Sequence, residues 1–191
     1  LADTIRHELL RLDAATGKLR WRQTIGEPFA EPLLVGDLGF VAADSGRLYA
    51  IDLKSGARTG YLQCTQPLRV TPAIDRTKTH LYLAGDRASV YSITLPDLKC
   101  GGVYFLGHAP RTSQAAPGVV MDKLAAGENN GVETSRLHLL SMDNRGTLAK
   151  QQAERRLNGL VTSPPLATGR GLIVVTDRGQ IEVYDIAAGN E

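Results

Sequence analysis

The chain has 191 residues, 42% of them hydrophobic and 22% charged, which is the composition of an ordinary globular protein rather than a disordered one. Its formal net charge of +2 comes from 22 basic and 20 acidic residues, so charge gives no reason to expect nucleic acid as a partner. No apolar run approaches the roughly 20 residues that a membrane helix needs, so we expect no membrane insertion by this segment. The first residues show neither an initiator Met nor a secretory signal, which predicts an excised or processed segment.

The most informative feature of the sequence is a pattern that recurs about every forty residues. It is clearest in DSGRLYAID at residues 44–52 and DRGQIEVYD at residues 177–185, and DRASVYSIT at residues 86–94 keeps the same length and alternation. Each copy is a turn followed by a strand in which every second residue is apolar. A repeat of this period is typical of a propeller or a solenoid.

In chain order, each copy of the strand ends at a polar residue that should begin a turn. These residues are Asp13, Asp52, Thr94, Asp143 and Asp185. The turns that follow include ATGK at residues 15–18, KSG at 54–56 and AAG at 187–189, where glycine can supply a positive φ. A proline opens a further strand in four of the units, where its missing N–H costs little. Together these landmarks predict four strands in each unit.

The predicted architecture is an all-β propeller with four-stranded blades and about 17 strands. The units cover residues 1–25 (the end of a blade), 26–64, 65–108, 109–157 and 158–191 (an incomplete last blade). This number of strands is close to four blades, but the chain is predicted to start in the third strand of one blade and to end in the third strand of another. We therefore expect residues 1–191 to form one open or partial propeller segment from a larger protein.

Two segments depart from the regular pattern. LAKQQAERRL at residues 148–157 has the composition of a helix, but the repeat requires an outer strand there, and we predict the strand. The fourth unit also contains an insertion, ENNGVETSR at residues 128–136, which lengthens one of its turns. We expect this insertion to form a loop on the surface.

DAATGKLRW at residues 13–21 combines a strand end, a Thr-Gly turn and an outer-strand tryptophan. With the strand RLYAID at residues 47–52, it resembles the PQQ-repeat β-propeller family. The resemblance spans essentially the whole chain as architecture, although the full signature occurs once. The chain looks more like the BamB-type scaffolds of this family than like its quinoprotein alcohol dehydrogenases. The resemblance implies an extracytoplasmic location, in the periplasm or cell envelope.

The chain also differs from the family in ways that bear on function. In the family, the outer-strand tryptophan helps to lock neighbouring blades together, so its loss predicts weakened blade packing. The counterparts of Trp21 are Gly60 with Tyr61, Gly102, and Gln151. A quinoprotein dehydrogenase would be expected to have adjacent cysteines, a tryptophan stacked on PQQ, and Glu, Asn or Asp ligands for Ca²⁺. This chain lacks the first two of these features, so we expect no cofactor, with PQQ and Ca²⁺ implied by the resemblance alone.

Several repeated residues are predicted to serve the fold. Aspartates in turns can accept hydrogen bonds from the backbone two residues further on. The predicted structural residues are Asp13, Thr16, Gly17, Trp21, Asp44, Gly46, Asp52, Asp86, Asp143, Asp177, Gly179 and Asp185. Cys64 and Cys100 should lie near opposite ends of neighbouring blades, too far apart for a disulfide, so we predict two thiols.

The candidate binding residues lie on two loops, because a rigid scaffold presents functional residues on its loops. The loops are residues 108–113 and the insertion at residues 128–136. The insertion carries oxygens of the kind that Ca²⁺ binds, but their spacing does not match an EF-hand, and a solvated loop has the same composition. The predicted binding residues are His108, Arg111, Glu128, Asn129, Asn130, Glu133 and Arg136. We predict no catalytic residue and no metal ligand.

The sequence therefore favours a non-enzymatic propeller segment that acts as a protein-interaction scaffold or a sensor surface. It has no Gly-rich phosphate loop, nucleophile elbow or HExxH helix. The expected partner is another protein or the remaining blades of the same polypeptide. Two alternatives stay open: a quinoprotein-like oxidoreductase fragment whose PQQ and Ca²⁺ site is completed by other blades, and an extracytoplasmic sensor domain of a larger receptor or kinase.

Overall fold

The structure is a computed structural model that describes residues 1–186, without the side chain at position 150. Within that range every regular element is a β-strand; there are eighteen strands, in five antiparallel sheets. The chain divides into two compact units, residues 1–71 (unit 1) and residues 72–191 (unit 2), which are described separately.

Unit 1 contains a three-stranded sheet and a four-stranded sheet. The first consists of β1 (Ala2–Asp3), β2 (Glu8–Leu12) and β3 (Leu19–Thr24). The second consists of β4 (Leu33–Val35), β5 (Leu38–Ala42), β6 (Arg47–Asp52) and β7 (Arg58–Gln63). Strands that are consecutive in the chain lie side by side, which is the meander of a propeller blade. Because Ala2 pairs with Leu9, the chain enters its first sheet one strand earlier than predicted.

Unit 2 contains two four-stranded sheets and one of three strands, all of them meanders. The third sheet of the chain consists of β8 (Ala73–Ile74), β9 (His80–Gly85), β10 (Ser89–Thr94) and β11 (Lys99–Phe105). The fourth consists of β12 (Gly118–Val120), β13 (Lys123–Asn130), β14 (Thr134–Met142) and β15 (Leu148–Asn158). The fifth consists of β16 (Leu166–Thr168), β17 (Gly171–Val175) and β18 (Ile181–Asp185). Residues 148–157 form a strand, as the repeat predicts, and not a helix.

Apolar side chains from the middle strands of each sheet pack into cores between successive sheets. In unit 1 the core includes Leu9, Val41, Tyr49 and Ile51. In unit 2 one core includes Tyr82, Val90, Leu124 and Leu140, and another includes Leu137, Leu157, Leu172 and Val174. Fully burying a side chain of this size contributes about 1.5–3 kcal/mol, so these cores supply most of the stabilisation between sheets.

Three of the repeated aspartates close the turn that follows their strand. The Oδ1 atom of Asp13 accepts hydrogen bonds from the backbone N–H groups of Ala15 and Thr16, at 3.2 and 2.9 Å. Asp52 accepts hydrogen bonds from the backbone N–H groups of Lys54 and Ser55 in the same way. Asp143 accepts them from the N–H groups of Arg145 and Thr147. Gly17 completes the first of these turns at a φ of 68°, a conformation that costs glycine little.

The aspartates of the other repeated turn contact residues beyond their own turn. The Oδ1 atom of Asp44 accepts a hydrogen bond from Arg69 at 2.6 Å, and that of Asp177 accepts one from the backbone N–H of Leu160 at 2.7 Å. Asp86 accepts a hydrogen bond from the backbone of Thr112 through its carbonyl oxygen. Each of these residues thus ties its turn to a connection between sheets. Gly46 and Gly179 occupy the turns with φ values of 84° and 77°.

Asp185 ends β18 and pairs with Arg170 at 3.6 Å. The AAG turn predicted at residues 187–189 lies outside the described residues.

Trp21 joins the two sheets of unit 1. Its indole N–H donates a hydrogen bond to the carbonyl of Leu53 at 2.9 Å. Its ring lies against Gly56, where an added Cβ would come within 2.7 Å of the ring, so only glycine leaves room for the indole. Gly56 also has a φ of 78°, a second reason for glycine at this turn.

The sequence predicted weakened packing at the outer strands that lack a tryptophan, but other contacts are present at one of these junctions. By register, Gly60 and Gly102 occupy the position of Trp21 in β7 and β11. In β15 the equivalent position is 150, which pairs with Ser141, one residue before the predicted Gln151. Between the third and fourth sheets, two side chains from the middle strands of the third sheet make the contact that the indole makes in unit 1. The hydroxyls of Tyr82 and Ser92 both donate to the carbonyl of Gly146, at 2.9 and 2.8 Å.

Candidate interaction surface

The predicted binding residues lie at one end of the sheets of unit 2. We call this surface the loop edge and define it as residues 106–113, the hairpin 128–136, and residues 158–163 and 176–180. His108 and Arg111 belong to the connection between β11 and β12, and Glu133 lies in the tight turn between β13 and β14. His108, Arg111, Glu133 and Arg136 are exposed.

Backbone hydrogen bonds bring the two predicted loops together. The N–H of Asn129 donates to the carbonyl of Thr112 at 2.8 Å, and the N–H of Thr112 donates to Asp86 at 3.2 Å. The N–H of Leu106 donates to Ala88 at 2.8 Å, which holds the start of the same connection. Thr112 and Ser113, which belong to the predicted contact loop at residues 108–113, are buried. The connection at residues 106–113 is therefore anchored to the sheets on both sides.

The insertion is mostly strand, which corrects the prediction of a surface loop at residues 128–136. Glu128, Asn129 and Asn130 extend β13, and the turn itself is only residues 131–133. Glu128 is 6% exposed and Asn129 is 3% exposed, so neither can act as a freely accessible contact residue. The prediction was wrong for these two residues because the added residues continue the antiparallel pairing, with Glu128 opposite Arg136.

A buried polar pair lies beneath the loop edge. Glu128 Oε2 is 3.0 Å from Nε2 of His138, which is 1% exposed. The other ring nitrogen of His138 lies 3.3 Å from Oε1 of Gln151, whose amide nitrogen in turn donates to Glu154 at 3.0 Å. Both ring nitrogens therefore face oxygen atoms, an arrangement in which a buried carboxylate is paired rather than isolated.

The connection at residues 106–113 packs directly on this pair. Gly107 lies so close to the carboxylate of Glu128 that any side chain at this position would overlap it. No partner for His138 could be predicted from the sequence, because Glu128 and His138 are ten residues apart and meet as diagonal neighbours across β13 and β14.

Asn129 and Ser135 fix the base of the hairpin to the connection between β15 and β16. The Asn129 side chain accepts from the backbone N–H of Val161 at 2.9 Å and donates to its carbonyl at 3.1 Å. The Ser135 hydroxyl donates to the carbonyl of Gly159 at 2.9 Å. These bonds engage the side-chain oxygens of Asn129 and Ser135 with backbone groups of the protein.

The tip of the hairpin is exposed and held in place. Val132 is 83% exposed, and the neighbouring Glu133 pairs with Arg178 at 3.0 Å. The carbonyl of Glu133 also accepts a hydrogen bond from the N–H of Gly159 at 2.7 Å. On the outer side of the same hairpin, Arg136 pairs with Glu154 at 3.5 Å. The tip therefore presents an apolar side chain on a constrained turn with charged neighbours.

The described residues do not fit the PQQ and Ca²⁺ site that the family resemblance implies for dehydrogenases. The only tryptophan of the chain, Trp21, packs on Gly56 and is bonded to Leu53, so it is not available to stack on a quinone. Within residues 1–186 no three His, Cys, Asp or Glu residues are grouped to hold a metal. Cys64 and Cys100 are not joined by a disulfide, which confirms the prediction of two thiols. No helix among the described residues could span a membrane.

Comparison with known proteins identifies relatives along the whole chain. The sequence model of the family described as "Outer membrane protein assembly factor BamB" matches residues 1–191. The outer membrane protein assembly factor BamB of Bordetella pertussis is 24% identical over 186 residues, which cover 91% of this chain and 45% of that protein.

Two solved structures share the fold. The crystal structure of BamB from Moraxella catarrhalis has a TM-score of 0.71 at 15% identity, over 91% of this chain and 52% of that one. The computationally designed Ika4 protein has a TM-score of 0.66 at 10% identity, over 86% of this chain and 94% of that one. This chain spans about half the length of the two BamB proteins. The predicted β-propeller fold is confirmed, and the chain belongs to the PQQ-repeat family of the outer membrane protein assembly factor BamB.

Proposed function

We propose that this chain is a non-enzymatic protein-interaction scaffold whose contact surface is the loop edge of unit 2. The observation that carries the proposal is the hairpin tip, where the apolar side chain of Val132 is 83% exposed on a turn held by Glu133. An exposed apolar side chain on a pre-organised loop costs little conformational entropy to bury against a partner. Arg111 and His108 add exposed polar groups on the connection that is bonded to the base of the same hairpin, and polar groups are typical of the rim of an interface.

The chemistry beneath the surface supports a scaffold rather than an enzyme. The buried acid and histidine of the hairpin, Glu128 and His138, are bonded to each other, and the connection at residues 106–113 covers them. A catalytic acid or base has to reach a substrate. Covered in this way, the pair stabilises the hairpin that presents Val132.

The relatives suggest the class of partner. The relative from Bordetella pertussis is named an outer membrane protein assembly factor, and the solved structure from Moraxella catarrhalis is also a BamB. By analogy, the partner of this chain is a protein component of outer membrane protein assembly, and the chain works outside the cytoplasm, in the periplasm or cell envelope.

Site-specific photo-crosslinking in cells tests this assignment. A crosslinking amino acid at position 132 should trap a discrete protein of the outer membrane assembly machinery. The matched control is position 145, an exposed residue beyond the opposite end of β14. Equal crosslinking at the two positions, or none at position 132, would remove the loop edge as the contact surface.

A further inference from the structure

Both methionines of the chain and one histidine line a single cavity in unit 2. The cavity has a volume of about 440 Å³, and its lining includes Met121, Met142 and His80. It opens where β9 begins and β14 ends, at the end of the sheets opposite the turn that carries Val132. The proposed protein contacts make no use of these three side chains.

Backbone contacts bring the three residues together from separate elements. The N–H of Met142 donates to the carbonyl of Asp122 at 2.8 Å, which places the end of β14 beside the turn that contains Met121. The ring of His80 lies against Gly146, in the turn that follows Met142. The fold thus brings together the turn after β12, the end of β14 and the start of β9.

The imidazole of His80 is oriented through one of its two nitrogens. Its Nδ1 lies 2.9 Å from the hydroxyl of Thr79 and 3.6 Å from Oδ2 of Asp75. Asp75 is itself fixed, because its Oδ1 accepts the backbone N–H groups of Thr79 and His80 at 2.8 and 2.9 Å. The Thr79 hydroxyl also donates to Oδ2 of Asp75 at 3.1 Å, so it links the imidazole to the carboxylate, and histidines that bind metals commonly have their second nitrogen fixed by a hydrogen-bond partner. Within residues 1–186, Nε2 of His80 has no protein hydrogen bond.

The nearby carboxylates are engaged with the protein. Oδ1 of Asp143 accepts the backbone N–H groups of its own turn, and Asp122 lies 3.5 Å from the ammonium of Lys123. Within residues 1–186 no three His, Cys, Asp or Glu side chains are grouped to hold a metal, whereas the two thioethers and the imidazole line one cavity and make a softer set of donors. Thioether sulfur is a soft donor that favours Cu(I), whereas Ca²⁺ and Mg²⁺ take oxygen.

We propose that Met121, Met142 and His80 form a binding site for one soft monovalent cation, Cu(I), with Sδ, Sδ and Nε2 as its ligands. Met142 is partly buried and packs against the core that includes Tyr82, so one ligand is held firmly. Met121 is 38% exposed on its turn and provides the side from which the ion enters.

Methyl NMR with Ag(I), which binds like Cu(I) without redox chemistry, tests the site. The protein should carry Cys64→Ala and Cys100→Ser so that no thiol competes for the ion. Because the chain has two methionines, its spectrum has two methionine methyl signals, and both should shift and saturate together at one equivalent of Ag(I). A shift of only one signal, or of neither, would overturn the proposal.

Matched variants identify the ligands by competition with a Cu(I) chelator in the same background. Met121→Leu keeps the volume of the side chain and should weaken Cu(I) binding by about tenfold or more, as should His80→Gln. His108→Gln removes a histidine at the other end of the sheets and should leave the affinity within about twofold. Unchanged affinity in the folded Met121→Leu protein would contradict the assignment.

Discussion

The junction around Trp21 in unit 1 and the hairpin around His138 in unit 2 join neighbouring sheets by opposite chemistry. Trp21 lays an indole ring on Gly56 and donates one hydrogen bond to Leu53. The hairpin instead buries a carboxylate and an imidazole and fixes its base through Asn129. The first junction uses the repeated signature of the family, whereas the second lies where the insertion departs from the repeat.

The Trp21 junction serves the fold alone, whereas the hairpin around His138 also shapes the loop edge. The Trp21 junction joins two sheets through the turn that contains Leu53 and Gly56, and this turn carries none of the predicted binding residues. The Glu128–His138 pair lies under residues 106–113 and beside the turn that presents Val132, so its stability and the geometry of the loop edge are coupled. Breaking each junction should therefore have different consequences.

The largest expected effect is that of Glu128→Ala. Removing one member of a buried pair leaves the other unpaired, which costs about 3–5 kcal/mol of the free energy of unfolding. Denaturant unfolding measures this loss. The double variant Glu128→Met, His138→Leu should recover most of it, because an apolar pair of similar volume carries no unpaired group. A loss below about 1 kcal/mol for Glu128→Ala would show that the pair is not buried as described.

Trp21→Ala should cost less, about 2–3 kcal/mol, because the indole is half-buried and a fully buried tryptophan costs roughly 3–5 kcal/mol. Trp21→Phe keeps a ring on Gly56 and should cost about 1 kcal/mol for the lost hydrogen bond. Neither variant should change binding at the loop edge. Equal losses for the two variants would mean that ring packing on Gly56 contributes nothing.

Tyr82→Phe tests the contact between Tyr82 and Gly146, which takes the place of the tryptophan contact in unit 2. It should cost about 0.5–1 kcal/mol, since the carbonyl of Gly146 keeps its hydrogen bond from Ser92. Ser92→Ala should have a similarly small effect, and the double variant should lose more than the sum of the two, because it leaves a buried carbonyl without a partner. Simple additivity, measured by denaturant unfolding, would show that the two hydroxyls act independently.

The smallest effect concerns Asp13, at the turn before Trp21. Its hydrogen bonds from Arg20, Thr16 and the following backbone lower its pKa from 3.8 to about 2. A lowered pKa means that this carboxylate favours folding above about pH 4 and loses that contribution as the pH falls through about 2. Carboxyl NMR should show the low value, and Arg20→Gln should raise it. An unchanged pKa in Arg20→Gln would remove the arginine as the main cause.

Local patterns predicted the strands and most turns, because alternation and turn residues act over short distances. Asp13, Asp52 and Asp143 lie where the repeat puts them, and residues 148–157 follow the repeat instead of their helical composition. The short strand Ala2–Asp3 was missed, since only its pairing with β2 defines it.

The support of the loop edge could not be predicted in the same way. The contact of His138 with Glu128 depends on the register of the hairpin, which depends on a turn of only three residues, 131–133. The bonds between Asn129 and Val161 join different sheets and leave no trace in local spacing. His108, Arg111 and Glu133 were placed on the surface from the repeat alone, while Glu128 and Asn129 were mistaken for loop residues.

The most direct test of the interaction surface is the affinity of two matched variants for the protein trapped by crosslinking at position 132. Val132→Asp places a charge on the apolar tip, and Arg145→Glu changes an exposed residue beyond the other end of the same strand. We expect Val132→Asp to raise the Kd about tenfold or more, equivalent to about 1.4 kcal/mol, and Arg145→Glu to leave it within about twofold. An unchanged Kd for Val132→Asp, or a larger effect of Arg145→Glu, would contradict a contact surface at the loop edge.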